Sequence, residues 1–235
     1  MNPEQPRRSS AAQWLILLGL VALAAVWTWP KVLRQKIKAD QTRAISNLRQ
    51  IGLSILDFES EYGSFPDERT AGLLAPENKL GLDLTGTSSN VHFRQLIVTG
   101  PAPMEIIFYA PTGYTRKADE IMDSNDTMLA AGEVGYGYFL DGGRGMTTKD
   151  GSSGRPVACA PLAFDGHSVS TTRFDPATYD GKAVVLRADC SVTSLPIDPN
   201  TGDAILGSKP ILETGPDTVW GSDGKPTILP PLPKK

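Results

Sequence analysis

The hydrophobic pattern divides the chain sharply near residue 30. From Ala11 to Trp29 it reads AAQWLILLGLVALAAVWTW, without a charge and with Gln13 and Thr28 as its clearly polar members. As a helix this run is roughly 28 Å long, close to the thickness of a bilayer's hydrocarbon core. Trp14 at one end and Trp27 and Trp29 at the other stand where interfacial aromatics are expected. A transmembrane segment over 11–29, preceded by a short tail over 1–10, is therefore predicted. Arg7 and Arg8 with Ala22-Leu23-Ala24 also fit a cleavable signal peptide, but the apolar run continues to Trp29, longer than cleavage requires, which favours an anchor. Charge alone does not orient it: Lys31, Arg34, Lys36 and Lys38 follow the run, which leans towards a cytoplasmic C-terminal side.

After Trp29 the period changes. Ile37, Ala44, Leu48, Ile51, Ile55, Phe58 and Tyr62 recur at steps of seven, four and three, the spacing of one helical face, while Arg43, Arg49, Asp57, Glu59 and Glu61 fill the others. An amphipathic helix over 30–62 is predicted to continue from the span, kinked at most by Pro30, giving about 50 helical residues, roughly 75 Å. Gly63 and Phe65-Pro66 end it. Leu48, Ile51, Ile55, Phe58 and Tyr62 are the residues expected to pack this helix and to serve assembly.

Residues 63–235 read as a β-rich body. A loop-rich connector over 67–90 leads to a short helix, Val91 to Val98, capped by Ser88-Ser89-Asn90. Ile106 to Ala110 reads as a strand, Asp119 to Ala131 as a second short helix, and Val134 to Leu140 as a strand before the turn Asp141-Gly142-Gly143. Pro156 to Phe164 is another apolar run. Lys182–Arg187 and Ser191–Leu195 form the clearest hairpin, joined by Ala188-Asp189-Cys190. The last 25 residues read as Pro-rich coil. The fold expected is α+β: a long N-terminal helix on a small antiparallel sheet of about four strands.

Composition adds exclusions. With 40% hydrophobic and 21% charged residues a packed core is expected. The 23 basic and 26 acidic residues nearly balance, and no basic stripe follows residue 50, so nucleic-acid binding is not expected. Gly151-Ser152-Ser153-Gly154 lacks the spacing of a hydrolase elbow, and the glycines at 135, 137, 142, 143 and 145 sit in a turn-rich β region unlike a phosphate loop. His167, in a polar loop after Asp165-Gly166, has no nucleophile placed beside it. No catalytic constellation, cofactor or small-molecule substrate is expected. Asp198, Asn200 and Asp203 place three oxygen ligands within six residues, as calcium loops do, although a distal bidentate Glu is missing and a plain Pro-Asn-Thr-Gly turn between strands accounts for them better. Cys159 and Cys190, the only cysteines, can pair if the domain is exported or stand as two separate thiols.

The run Ala44-Ile45-Ser46-Asn47-Leu48-Arg49-Gln50-Ile51-Gly52-Leu53, followed by Tyr62-Gly63-Ser64-Phe65-Pro66, resembles bacterial type IV pilin-like proteins, and in particular the type II secretion pseudopilin-like proteins abundant in Verrucomicrobia. Phe93-Arg94-Gln95-Leu96-Ile97, Ile107-Phe108-Tyr109-Ala110 and the stretch from Phe174-Asp175-Pro176 to Ser191-Val192 share the likeness. The resemblance implies a cytoplasmic N-terminus and a periplasmic domain at a bacterial inner membrane. It also implies packing of the N-terminal helix with other pilin-like subunits, and calcium in C-terminal β loops. One departure stands out: Ser9-Ser10-Ala11-Ala12-Gln13-Trp14 holds no Gly-Phe cleavage junction, and the span holds no Glu. Leader cleavage, N-methylation and register-setting charge pairing therefore do not carry over, which points to a minor or non-assembling relative. The expectation is a non-catalytic, membrane-anchored pseudopilin-like subunit or accessory of a type II secretion or type IV pilus-like assembly. The alternative is a tethered periplasmic binding module that never assembles.

Overall fold

The computed structural model describes residues 11–102, 104–150 and 153–235; within these, the side chains of 11–13, 16, 21–28, 30 and 150 are outside the description. The tail over 1–10 is likewise outside it. The chain divides into two compact units after Ala39 rather than after the expected helix end, so 40–62 belong with the globular body. The first unit is helical from Ala11 onward, the start of α1 (Ala11–Tyr62). Trp14, Leu15, Leu17, Leu18, Leu20, Trp29, Val32 and Leu33 are exposed on it, and Ile37 is partly exposed. Among the described residues no helix is long and apolar enough to cross a membrane. The predicted span over 11–29 falls largely on side chains outside them.

The second unit is α+β, as the pattern predicts. Its order after α1 is α2 (Glu68–Leu73), α3 (Ser89–Val98), a 3-10 turn (Glu105–Phe108), β1 (Gly137–Asp141), β2 (Pro156–Ala160), β3 (Leu162–Phe164), β4 (Val169–Phe174), β5 (Lys182–Arg187), β6 (Val192–Pro196), β7 (Ile205–Leu206), β8 (Lys209–Pro210) and β9 (Pro226–Leu229). Five strands form one antiparallel sheet in the order β6-β5-β2-β1-β9, and β3-β4 and β7-β8 are two-stranded ladders.

Register separates the two faces of the sheet. Tyr138, Ala158 and Leu186 lie in one row across β1, β2 and β5, and Gly137, Cys159 and Val185 in the next. Because successive side chains alternate, the first row faces the helices: Phe93 of α3 meets Tyr138 edge-on, ring centroids 5.4 Å apart, and Leu186 lies against Gly52 of α1. The second face is covered by the C-terminal segment, where Trp220 stacks on Phe139 at 5.9 Å and donates from Nε1 to the Ile211 carbonyl at 2.6 Å. Covered on both faces, β2 is buried throughout, which is why PVACA reads as a continuous apolar run instead of an alternation.

Several expected elements differ. Ile106 to Ala110 lies around a 3-10 turn, not in a strand, because its carbonyls at Ile106 and Tyr109 are taken by the Asn47 side chain. The 119–131 segment is irregular: Glu120 and Leu129 adopt φ of 62° and 45°, incompatible with a continuous helix. The connector holds α2, started by a reciprocal cap in which Thr70 N–H donates to Asp67 Oδ1 and Asp67 N–H to Thr70 Oγ1, each at 2.8 Å. The run over 156–164 is two strands, broken at Ala160-Pro161, a cis peptide bond. The C-terminal coil supplies β9, paired with β1 through Tyr138 and Leu229. Beyond it, Leu232 N–H donates to Asn90 Oδ1 at 2.9 Å and Gly132 N–H to the Leu232 carbonyl at 2.7 Å.

Candidate functional site

Residues 44–58 form a seam between the second half of α1 and the body. Ala44, Leu48, Ile51, Ile55 and Phe58 are buried in the same core as the sheet, with Tyr62 packed at its edge. Asn47 Nδ2 donates to the carbonyls of Ile106 at 3.1 Å and Tyr109 at 2.8 Å, and the Tyr136 hydroxyl donates to the Ala44 carbonyl at 3.0 Å. Gly52 has a reason of its own. A Cβ there would stand 2.9 Å from Leu186 Cδ1 and 3.1 Å from Cys190 Sγ, so glycine lets the hairpin end approach this close without the Leu186 and Cys190 side chains giving way.

The helix exit is built with equal economy of groups. Gly63, at φ 79°, donates its N–H to the Glu59 carbonyl at 2.8 Å, the left-handed cap that stops the helix. Phe65 is buried and its N–H donates to the Met146 carbonyl at 2.8 Å; the Tyr138 hydroxyl donates to the Pro66 carbonyl at 2.9 Å. Glu59, expected on an outer face, is buried. Its carboxylate accepts the Thr147 hydroxyl, the Thr148 N–H at 2.7 Å and the Thr148 hydroxyl at 2.8 Å.

These contacts account for the packing expected of the stripe: Leu48, Ile51, Ile55 and Phe58 are buried in the chain's own core. The outward apolar residue of this half is Leu53, 60% exposed. Periodicity finds the buried stripe but cannot say whether its partner is the same chain or another.

Cys159 and Cys190 are free thiols. Cys159 belongs to the Gly137 row, on the face turned from α1, whereas Cys190 Sγ lies beside Gly52 of α1. Two cysteines on opposite faces of a sheet cannot meet the geometry of a disulfide. Burial pushes the Cys159 thiol well up and the Cys190 thiol up less. The 198–203 turn is closed by its own backbone: Asp198 N–H donates to the Asp203 carbonyl at 2.9 Å, Gly202 N–H to the Asp198 carbonyl at 2.8 Å, and Asn200 N–H to Asp198 Oδ1 at 2.8 Å. His167 is exposed, its N–H on Asp165 Oδ1 at 2.8 Å. His92 is buried, with Nδ1 on the Ser88 carbonyl at 3.1 Å and its ring stacked on Tyr138.

A second group of residues has no counterpart in the sequence reading. Glu105, Asp119 and Glu133 bring one carboxylate oxygen each within 4.8 Å of one another. Glu105 and Glu133 are fully buried and Asp119 is exposed. Glu105 accepts the Leu129 N–H, and Glu133 Oε2 accepts the Ala130 N–H at 2.8 Å. Arg116 Nη2 stands 2.9 Å from Glu133 Oε1 as an ion pair. Burial pushes the Glu105 carboxyl up to about 7, against the Leu129 N–H and with help from Glu133, Glu120 and Asp119. Burial also raises Glu133, opposed by the Ala130 N–H and by Arg116. Residues 105, 119 and 133 lie fourteen positions apart, a separation that matches no metal-ligand motif, so only the fold could reveal them. Compared with known protein families, curated proteins and solved structures, the chain matches none.

Proposed function

We propose that this chain is a non-catalytic, membrane-anchored pseudopilin-like subunit or accessory of a type II secretion or type IV pilus-like assembly. Its N-terminus lies in the cytoplasm and its α+β body in the periplasm. The observation that carries this reading is the row of exposed apolar side chains at Trp14, Leu15, Leu17, Leu18 and Leu20 on the first unit's helix. Water-exposed apolar rows of that kind are costly and mark contact with lipid or a partner helix. The uncharged sequence over 11–29 and the pilin-like motif at 44–53 point the same way. The burial of the 44–58 stripe within its own body leaves lateral contacts to the first unit and to Leu53.

The tethered binding module is supported by a different feature. A groove of about 380 Å³ between the 77–82 connector and α3 is lined by Leu80, Leu82, Ile97, Val98, Met122 and Met128. Photo-crosslinkers placed at Leu17, Leu53 and Leu80 separate the readings in cells. Crosslinks from Leu17 and Leu53 to another pilin-like helix support assembly. Capture at Leu80, with lipid alone at Leu17, supports the tether. A chain that stays in the aqueous phase without detergent overturns both.

A further inference from the structure

The strongest feature that the proposed function leaves unused is the carboxylate group at Glu105, Asp119 and Glu133. Three parts of the chain build it. Glu105 opens the 3-10 turn, whose first N–H groups, of Glu105 and Ile106, donate to the Glu120 carboxylate at 3.1 and 2.9 Å. Glu120 itself sits at φ 62°, a turn that follows directly on Asp119. The neighbouring peptides of Leu129 and Ala130 hold Glu105 and Glu133 by one hydrogen bond each, so both side chains are fixed by backbone and not by chance rotamers.

Electrostatics makes this arrangement incomplete by itself. Two fully buried carboxylates beside a third repel, and burial adds to the cost of each. Arg116 answers one of the three charges. Arg94, buried nearby, spends its guanidinium elsewhere: on the Met128 carbonyl at 2.9 Å, the Asn125 carbonyl at 2.6 Å, Asn125 Oδ1 at 3.1 Å and the Asp83 carbonyl at 3.4 Å. Glu105 Oε2 is left buried with no hydrogen-bond partner. A fully buried carboxylate oxygen without a donor is rare and calls for a cation or a proton. The spacing favours a cation. Oxygens bound to one calcium ion at about 2.4 Å lie at most about 4.8 Å apart, and the three oxygens here fall within that limit. Asp119, being exposed, gives a route from solvent, and with all three ionised the carboxylates less one guanidinium leave a charge of about minus two for a divalent ion to balance.

We propose that Glu105, Asp119 and Glu133 form a binding site for one hard divalent cation of the calcium class, distinct from the turn at 198–203. The ligand set is all oxygen, which selects against zinc and copper. Anchoring by adjacent peptides also favours calcium, with its tolerant geometry, over magnesium, which demands a near-ideal octahedron. The ion would tie the 3-10 turn, the 116–120 loop and the approach to β1 together on the body.

The test uses the full chain in detergent, stripped with chelator and returned to buffer at pH 7.5. Calcium chloride is then added while heat of binding and Tm are followed. The expected result is one ion per chain and a Tm raised by about 5–10 °C at a hundredfold excess over Kd, with a much smaller rise for magnesium. Glu105→Gln and Asp119→Asn should abolish the rise, and Asp198→Asn should leave it intact. Asp119 is exposed, so its variant decides the matter even if Glu105→Gln folds poorly. No calcium-dependent rise in the wild type means that a proton, not a metal ion, neutralises the group, and overturns the proposal. A rise that survives Asp119→Asn, or that disappears in Asp198→Asn, overturns it as well. Membrane anchoring does not enter these readouts, so the site and the proposed function fail separately.

Discussion

Removing the Glu59 carboxylate should loosen the end of α1 from the body. Glu59→Ala deletes three hydrogen bonds to a buried charged acceptor, from the Thr147 hydroxyl and from the N–H and hydroxyl of Thr148. Hydrogen bonds to charged groups contribute about 1.5–3 kcal/mol each, but the sum overstates the loss. The variant also no longer buries a charge, and both threonine hydroxyls can turn to other acceptors. The Thr148 N–H has no such freedom, and a small cavity remains. A net cost of about 3 kcal/mol follows. Glu59→Gln keeps the volume and one acceptor and should cost about 1–2 kcal/mol. Urea unfolding followed by near-ultraviolet circular dichroism gives the free energies. Hydrogen exchange should show the Thr148 amide losing protection in both variants before the central strands do. A Glu59→Ala chain within about 0.5 kcal/mol of wild type, with Thr148 exchange unchanged, would refute the clamp.

Other outcomes are equally specific. Gly145→Ala places a Cβ 2.1 Å from the Phe65 carbonyl oxygen; backbone cannot yield as a side chain can, so a loss of about 1–3 kcal/mol or more in thermal unfolding is expected. Asn90→Ala removes the donor to the Leu129 and Ala130 carbonyls and the acceptor for Leu232 N–H; about 2–4 kcal/mol should be lost, and limited proteolysis should clip the 230–235 tail. Burial lowers the pKa of His92, against the Ser88 carbonyl, Asp67 and Glu68. The folded state therefore resists protonating it, so the linked stability is present above about pH 6.5 and is lost as pH falls below that value. In His92→Gln the Tm should fall less between pH 7 and pH 5 than in wild type. Leu53→Asp, on an exposed position, should change stability by no more than about 0.5 kcal/mol while removing crosslinks made from that face.

The parts of the fold legible in the sequence are those where one local rule acts alone. The 3.6-residue period marked the face of α1 that is buried, and Gly63 with Phe65-Pro66 marked its end, because capping chemistry is local. The hairpin of β5 and β6 followed from β-branched runs around Ala188-Asp189-Cys190. Where distant groups decide, local rules failed. The run at 106–110 has strand-forming residues, yet Asn47, some sixty positions earlier, takes its carbonyls. Glu59 looks like a solvent-facing acid until threonines 88 and 89 positions away are seen to surround its carboxylate. Asp67-x-x-Thr70 is a local capping signal, masked by the flanking Gly and Pro residues, which read as loop. The carboxylate group at 105, 119 and 133 lay beyond any motif, since its members meet only through the irregular path of 116–133.

Paired C-terminal reporter fusions, one active only outside the cytoplasm and one fluorescent only inside it, test the anchored topology most directly. With the full chain produced in a bacterial host, the exported reporter should be active and the cytosolic one dark, and both fusions should sediment with membranes until detergent is added. A fluorescent cytosolic fusion, or a fusion released from membranes by buffer alone, would contradict a periplasmic body held by an N-terminal helix.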